Sequence, residues 1–156
     1  MATINAAISV TSDVTGYGTT INNSMTMTKA GTIAGLDQAT GLVRKTLTSI
    51  NEVDLLVVGA GVVADVTATK SAKLYIKNVN TDSSEYFTVG LGKASGGAAK
   101  QALSVAASDV RSVEIGRLYS GDWMIIPWVA ASDEHDVFVK PSVSTSMVIE
   151  YMVFFE

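Results

Sequence analysis

The chain has 156 residues, no cysteine, a net charge of −4, and 17% charged against 47% apolar side chains. Disulfide frameworks, thiolate metal centres and cysteine nucleophiles are therefore excluded, and a charge content below the ~25% usual for soluble domains leaves a hydroxyl-rich surface open to association. Lys and Arg form no basic stripe for nucleic acid, the best apolar run (Leu55 to Val63) is too short to span a membrane, and the opening Met-Ala-Thr-Ile-Asn lacks the features of an export signal.

Along the chain, two-residue alternation dominates. Ile4, Ala6, Ile8 and Val10 face one way and Thr3, Asn5, Ala7 and Ser9 the other, which predicts a half-buried strand over residues 2–11. Asp13, Gly16 and Gly18 supply turn chemistry, and a more polar strand follows over Thr19 to Thr28. Residues 29–41 read as a loop and 42–50 as a strand with Leu47 and Ile50. Val53 to Val58, apolar on both faces apart from Asp54, is expected to be a central strand, ended by Gly59 and Gly61.

The polar run Asn80 to Glu85 separates Leu74–Val79 from Tyr86–Leu91, a pattern that predicts a hairpin over 74–91. Residues 92–110 read equally as a short helix around Ala98 to Ala106 or as a Gly-Ala-Ser loop. A strand beginning at Val113 turns at Ser120-Gly121-Asp122 into Trp123 to Trp128; Val137–Lys140 and the run from Met147 to Phe155 complete the chain. With no repeated βα alternation, the pattern predicts an all-β, antiparallel β-sandwich of jelly-roll-like form, with a barrel as the next choice. One domain is expected over residues 1–156, with 1–18 as an N-terminal arm.

Four patterns invite a chemical reading. Val57-Val58-Gly59-Ala60-Gly61-Val62-Val63-Ala64 matches the opening of a dinucleotide-binding turn, but the β-branched, threonine-rich residues after it do not suit the helix such a site requires. Asp133, Glu134 and Asp136, beside the lone His135, offer oxygen ligands without the spacing of a calcium loop and read as a solvated turn. No G-x-S-x-G elbow exists, Gly92-Lys93-Ala94-Ser95-Gly96 misplacing its serine, and loop 92–99 lacks a P-loop ending. Trp123, Trp128, Tyr119 and Tyr151 would serve either as core and interface aromatics or as a platform for sugar rings or bases. No enzyme activity, cofactor or metal site is expected, and Ile4, Ile8, Val10, Trp123 and Trp128 are the candidate interface residues.

The second half of the chain carries a resemblance. Leu74-Tyr75-Ile76-Lys77-Asn78-Val79-Asn80 with Glu85-Tyr86-Phe87-Thr88-Val89-Gly90-Leu91 resembles a strand–turn–strand element of tailed-bacteriophage virion proteins. Glu114 to Trp128, with its Gly121-Asp122 turn and Pro127, is similar to another, and Ile149 to Glu156 looks like their terminal strand. The likeness spans residues 71–156 and leaves the first 70 unmatched. It implies a particle protein located in the virion and assembled in the host cytoplasm. Within that class it implies a head decoration (cement) protein, or a tail, neck or fibre component, and it brings no catalytic residues. The expected partners are further copies of the chain, a homotrimer being favoured, and the major capsid protein or another virion protein. A carbohydrate- or ligand-binding β-sandwich module is the alternative from a different class.

Overall fold

The alternating segments form eleven strands and one short 3-10 turn in a computed structural model, which describes residues 4–12, 19–28, 35–67, 69–70, 72–92, 113–132 and 135–156. The strands are β1 (Asn5–Ser12), β2 (Thr19–Thr26), β3 (Gln38–Ala39), β4 (Val43–Leu47), β5 (Val53–Leu56), β6 (Ala72–Asn78), β7 (Tyr86–Leu91), β8 (Val113–Tyr119), β9 (Trp123–Trp128), β10 (Val137–Pro141) and β11 (Met147–Phe155). All pairings are antiparallel. One sheet has the order β5-β10-β7-β8; the other has β3-β11-β6-β9, with β4 pairing β11 beside β3; β1 and β2 form a separate hairpin. The protein is an antiparallel β-sandwich, as the pattern predicts.

The alternation assigns the core. Leu74 and Ile76 of β6, and Met147, Ile149, Tyr151, Val153 and Phe155 of β11, point inward from one sheet. Phe87 and Val89 of β7, Val137 and Val139 of β10 and Leu118 of β8 meet them from the other. Each such side chain contributes roughly 1.5–3 kcal/mol when fully buried, which holds the sheets face to face.

The pairing is nested. β4 pairs β11, β5 pairs β10, β6 pairs β9 and β7 pairs β8, so one long antiparallel ribbon is folded across two sheets. This overturns the expected hairpin over 74–91: β6 and β7 lie in different sheets. The segment between them crosses from one layer to the other, a span of about 10 Å that a seven-residue connection covers easily. β8 and β9 are likewise separated by a crossing at Ser120-Gly121-Asp122, where Gly121 takes φ 82°, the left-handed conformation glycine permits.

The two crossings are tied together by asparagine. Asn78, fully buried at the end of the inward row of β6, donates from Nδ2 to the Leu118 carbonyl (3.0 Å) and the Glu85 carbonyl (3.4 Å). Its Oδ1 accepts from the backbone N–H and the side-chain amide of Asn80. Its backbone closes on the second crossing, N–H to the Asp122 carbonyl (3.0 Å) and carbonyl from Gly121 N–H (3.0 Å). Asn80 extends the tie to β11, accepting the Val148 N–H (2.9 Å).

β5 is also corrected. It ends at Leu56 and lies at a sheet edge, not at its centre. The apolar run continues because the chain turns over the end of the sandwich, burying Val63 and Val66 in the core. Asp136 pins this turn by accepting the Val58 N–H (2.7 Å).

Two substitutions test the packing. Opposite Gly90 in the β7–β10 ladder stands Phe138, and a Cβ at Gly90 would enter the Phe138 ring and touch the Val113 carbonyl. Gly90→Ala is expected to cost about 1–3 kcal/mol in urea unfolding, because a fully buried ring and backbone must both shift. Asn78→Ala leaves buried carbonyls without their donor and is expected to lose a similar 1–3 kcal/mol. A midpoint unchanged by Asn78→Ala would mean that the amide does not hold the crossings.

Candidate functional site

Among the described strands, two lie outside both sheets of the sandwich, β1 and β2, which form a hairpin. Its register places Ala6 opposite Met25, Ile8 opposite Asn23 and Val10 opposite Ile21, so one face is a row of apolar groups interrupted by one amide. The other face is polar: Ser9 Oγ donates to Asn22 Oδ1 (2.7 Å) and Thr26 Oγ1 to Asn5 Oδ1 (2.8 Å). These two cross-strand bonds, both on the polar face, favour hairpin pairing by local contacts alone. No charged side chain occurs in either strand.

The base of the hairpin is anchored. Met27 N–H donates to the Ile4 carbonyl (2.9 Å), Leu36 N–H to the Met27 carbonyl (2.7 Å), and Met27 and Leu36 are buried. Ala6, Ile8, Asn23, Met25 and Met27 face Lys73, Ile125 and Pro127 across a half-open cavity of about 150 Å³. Further out the apolar face has no cover: Val10 is 48% exposed and Ile21 56%. An isolated two-stranded ribbon is marginal in water, and one with an uncovered apolar face gains from a partner.

Of the residues singled out in the sequence, Ile8 and Val10 lie on this face, and Ile4 is half-buried where the hairpin meets the body. Trp123 is exposed on β9, on the side of that sheet turned away from the core. Trp128 is buried in the core, its indole N–H donating to the His135 carbonyl (2.8 Å), and presents no surface to a partner. Tyr151 is buried there too. The N-terminal arm takes the form of a hairpin: β1 pairs with β2 of its own chain, with residues 13–18 outside the described set.

The other patterns are not assembled into sites among the described residues. Gly59 and Gly61 both have positive φ, but Gly61 opens a three-residue 3-10 turn and β6 begins at Ala72, so among the described residues no α-helix N-terminus meets the turn. The depression beside it, lined by Leu55, Val57, Ala60, Val62 and Tyr151 among others, has no charged lining residue. Asp133 and Glu134 of the acidic run lie outside the described residues, as do 93–99 of the glycine-rich loop and the helical reading around 98–106. Asp136 turns inward, and the His135 ring meets Ser132 Oγ at 3.1 Å. No group of three or more metal-ligating side chains forms among the described residues. Tyr119 stacks near Tyr86 (5.2 Å between centroids), and Leu118 inward of it sets Tyr119 on the outer face of the opposite sheet from Trp123. The aromatics therefore do not converge on one platform.

Sequence alternation missed two clusters. On the outer face of the β11 sheet the largely buried Glu150 carboxylate accepts from Arg44 Nε (2.9 Å) and from Tyr75 OH (3.4 Å). Burial, and then the Glu150 charge, push the Tyr75 phenol above its ordinary range. On the outer face of the β8 sheet, Arg117 lies over the Tyr86 ring at 4.5 Å. Both arise from cross-strand register, which single-strand periodicity does not contain. No family model, curated protein or solved structure matches this chain.

Proposed function

We propose that this protein is a structural component of a tailed-phage virion, a head decoration (cement) protein that clamps neighbouring shell subunits. The observation that carries the reading is the uncharged hairpin held outside the sandwich with the outer end of its apolar face, Val10 and Ile21, uncovered. Such a device suits a protein whose surfaces are closed by neighbours, because binding there desolvates no ion. The likeness of residues 71–156 to phage virion proteins supports the same class. So does the strand order β4-β11-β6-β9 facing β5-β10-β7-β8, which favours reading the sandwich as a jelly roll. The hairpins link copies of the chain, most simply around a threefold axis, and the assembled unit grips the major capsid protein. A tail, neck or fibre location uses the same surfaces. The carbohydrate-binding alternative is weakened by the separation of Trp123 from Tyr119.

The hairpin lies outside the core cluster, so its role separates cleanly from folding. Val10→Asp with Ile21→Asp introduces two carboxylates into the apolar row. The double variant is expected to keep the circular dichroism spectrum and thermal midpoint of the parent while losing its oligomeric mass in light scattering. Its binding to purified shells lacking decoration is expected to fall at least tenfold. A parent chain that stays monomeric at high concentration and ignores shells, tails and fibres would defeat the proposal. Shell binding unchanged in the double variant would remove the hairpin from it.

A further inference from the structure

Among the described residues strand β8 lies at the edge of its sheet and pairs only with β7. Edge strands expose unpaired N–H and C=O groups and are commonly blunted by proline or lysine. β9, the matching edge of the other sheet, carries Pro127. β8 reads Val113-Glu114-Ile115-Gly116-Arg117-Leu118-Tyr119 and has neither residue. Only Leu118 is buried; Val113 is 61% exposed and Ile115 44%.

A bulge interrupts the β7–β8 ladder. Val89 faces Gly116 and Gly90 faces Glu114, so Ile115 is the extra residue. Because of it, Glu114 and Arg117, three apart, lie on one face. Arg117 packs over Tyr86 outside the sandwich, and Glu114 stands opposite Gly90, whose missing Cβ would point at Phe138 on that same outer side. Val113 and Leu118 belong to the inward side, opposite Leu91 and Phe87.

We propose that β8 pairs antiparallel with β8 of a second copy, about a two-fold axis between Ile115 and Gly116. In this register Glu114 faces the partner's Arg117 and Arg117 faces the partner's Glu114, giving two opposite-charge pairs on the outer face. Val113 faces the partner's Leu118 on the inward side, which covers an exposed apolar side chain, and Ile115 stands over the partner's Gly116, where there is no side chain to meet. Directly opposed residues share a face and lie within reach of each other, so charge and burial match together. Sliding the pairing by two residues in either direction breaks both charge pairs, so the charges select the register. Stacking on Tyr86 and a side-chain hydrogen bond with Tyr119 hold the Arg117 guanidinium in place, with Glu114 of its own chain in electrostatic reach. The contact is isologous and separate from the hairpin: hairpins join copies within a unit, and β8 edges join one unit to the next. It does not depend on the virion reading.

Charge reversal gives a test in the full-length chain. Glu114→Arg makes both cross-pairs repulsive, and so does Arg117→Glu. Each single variant is expected to weaken concentration-dependent association about tenfold or more in sedimentation velocity. An equimolar mixture of the two is expected to restore it, because one copy then presents two arginines to two glutamates on the other. Repeating the experiment in the Val10→Asp, Ile21→Asp background removes any association through the hairpins. A mixture that associates no better than its components, or single variants that associate like the parent, would overturn the proposal. So would a parent chain without self-association in that background, which would leave the bulge as a device that turns the edge away from partners.

Discussion

A fold whose consecutive strands alternate between two sheets must leave both ladders at every crossing, and each backbone group released there needs a new partner. In this protein that requirement concentrates on the Asn78 side chain. Its amide reaches the Leu118 and Glu85 carbonyls while its oxygen gathers Asn80. Two crossings, β6 to β7 and β8 to β9, are thereby fastened to one another, and through Asn80 to Val148 at the start of β11. The inward rows of β6, β8 and β11 converge on this corner. An aliphatic residue of the same size would fill the space but satisfy none of the carbonyls, so the position is set by hydrogen bonding more than by volume.

Strand positions were legible because period-two alternation is a local property: β1, β7, β9 and β11 lie close to where the pattern puts them. Strand neighbours were not legible, because alternation states which face is buried and says nothing about which strand lies alongside. The 74–91 hairpin failed for that reason. The one available signal was Asn78 itself, a polar residue continuing the inward row of Leu74 and Ile76. Trp123 and Trp128 show the same limit. β9 is apolar on both faces, so its sequence does not reveal that Met124, Ile126 and Trp128 turn inward while Trp123 turns out. In β8 the bulge breaks the parity altogether. As for the candidate surface, Ile8 and Val10 were readable from alternation, whereas the contribution of Ile21 and Met25 needed the β1–β2 register.

The apolar character of the chain is divided between two physical roles. Between the sheets it is closed and saturated. In the β1–β2 hairpin, and along β8, it faces outward on elements whose backbone edges are also open among the described residues. The charged groups are placed differently: Glu150 with Arg44 and Tyr75, and Arg117 over Tyr86, sit on the outer faces of the sandwich, held by neighbours in their own chain. The exposed apolar side chains of the hairpin and of β8 thus sit at the periphery of the sandwich, where they favour contacts with neighbours.

The nesting of the strands bears on how the chain reaches its native state. Arg44 and Glu150, cross-strand neighbours, are separated by 106 positions, and β11, synthesised after the other ten described strands, lies between β4 and β6 in its sheet. Until it arrives, β4 has no neighbour in that sheet and one flank of β6 stands bare. The early-formed strands must wait with unsatisfied backbone, and closure of the ribbon proceeds from its inner end, where β7 meets β8, toward its outer one. Such high contact order makes folding slow and the waiting intermediates adhesive. The β1–β2 hairpin, closed by neighbours near in sequence, is under no such delay: its strands can pair within microseconds of being made, and the body then adds the cover that an isolated ribbon lacks.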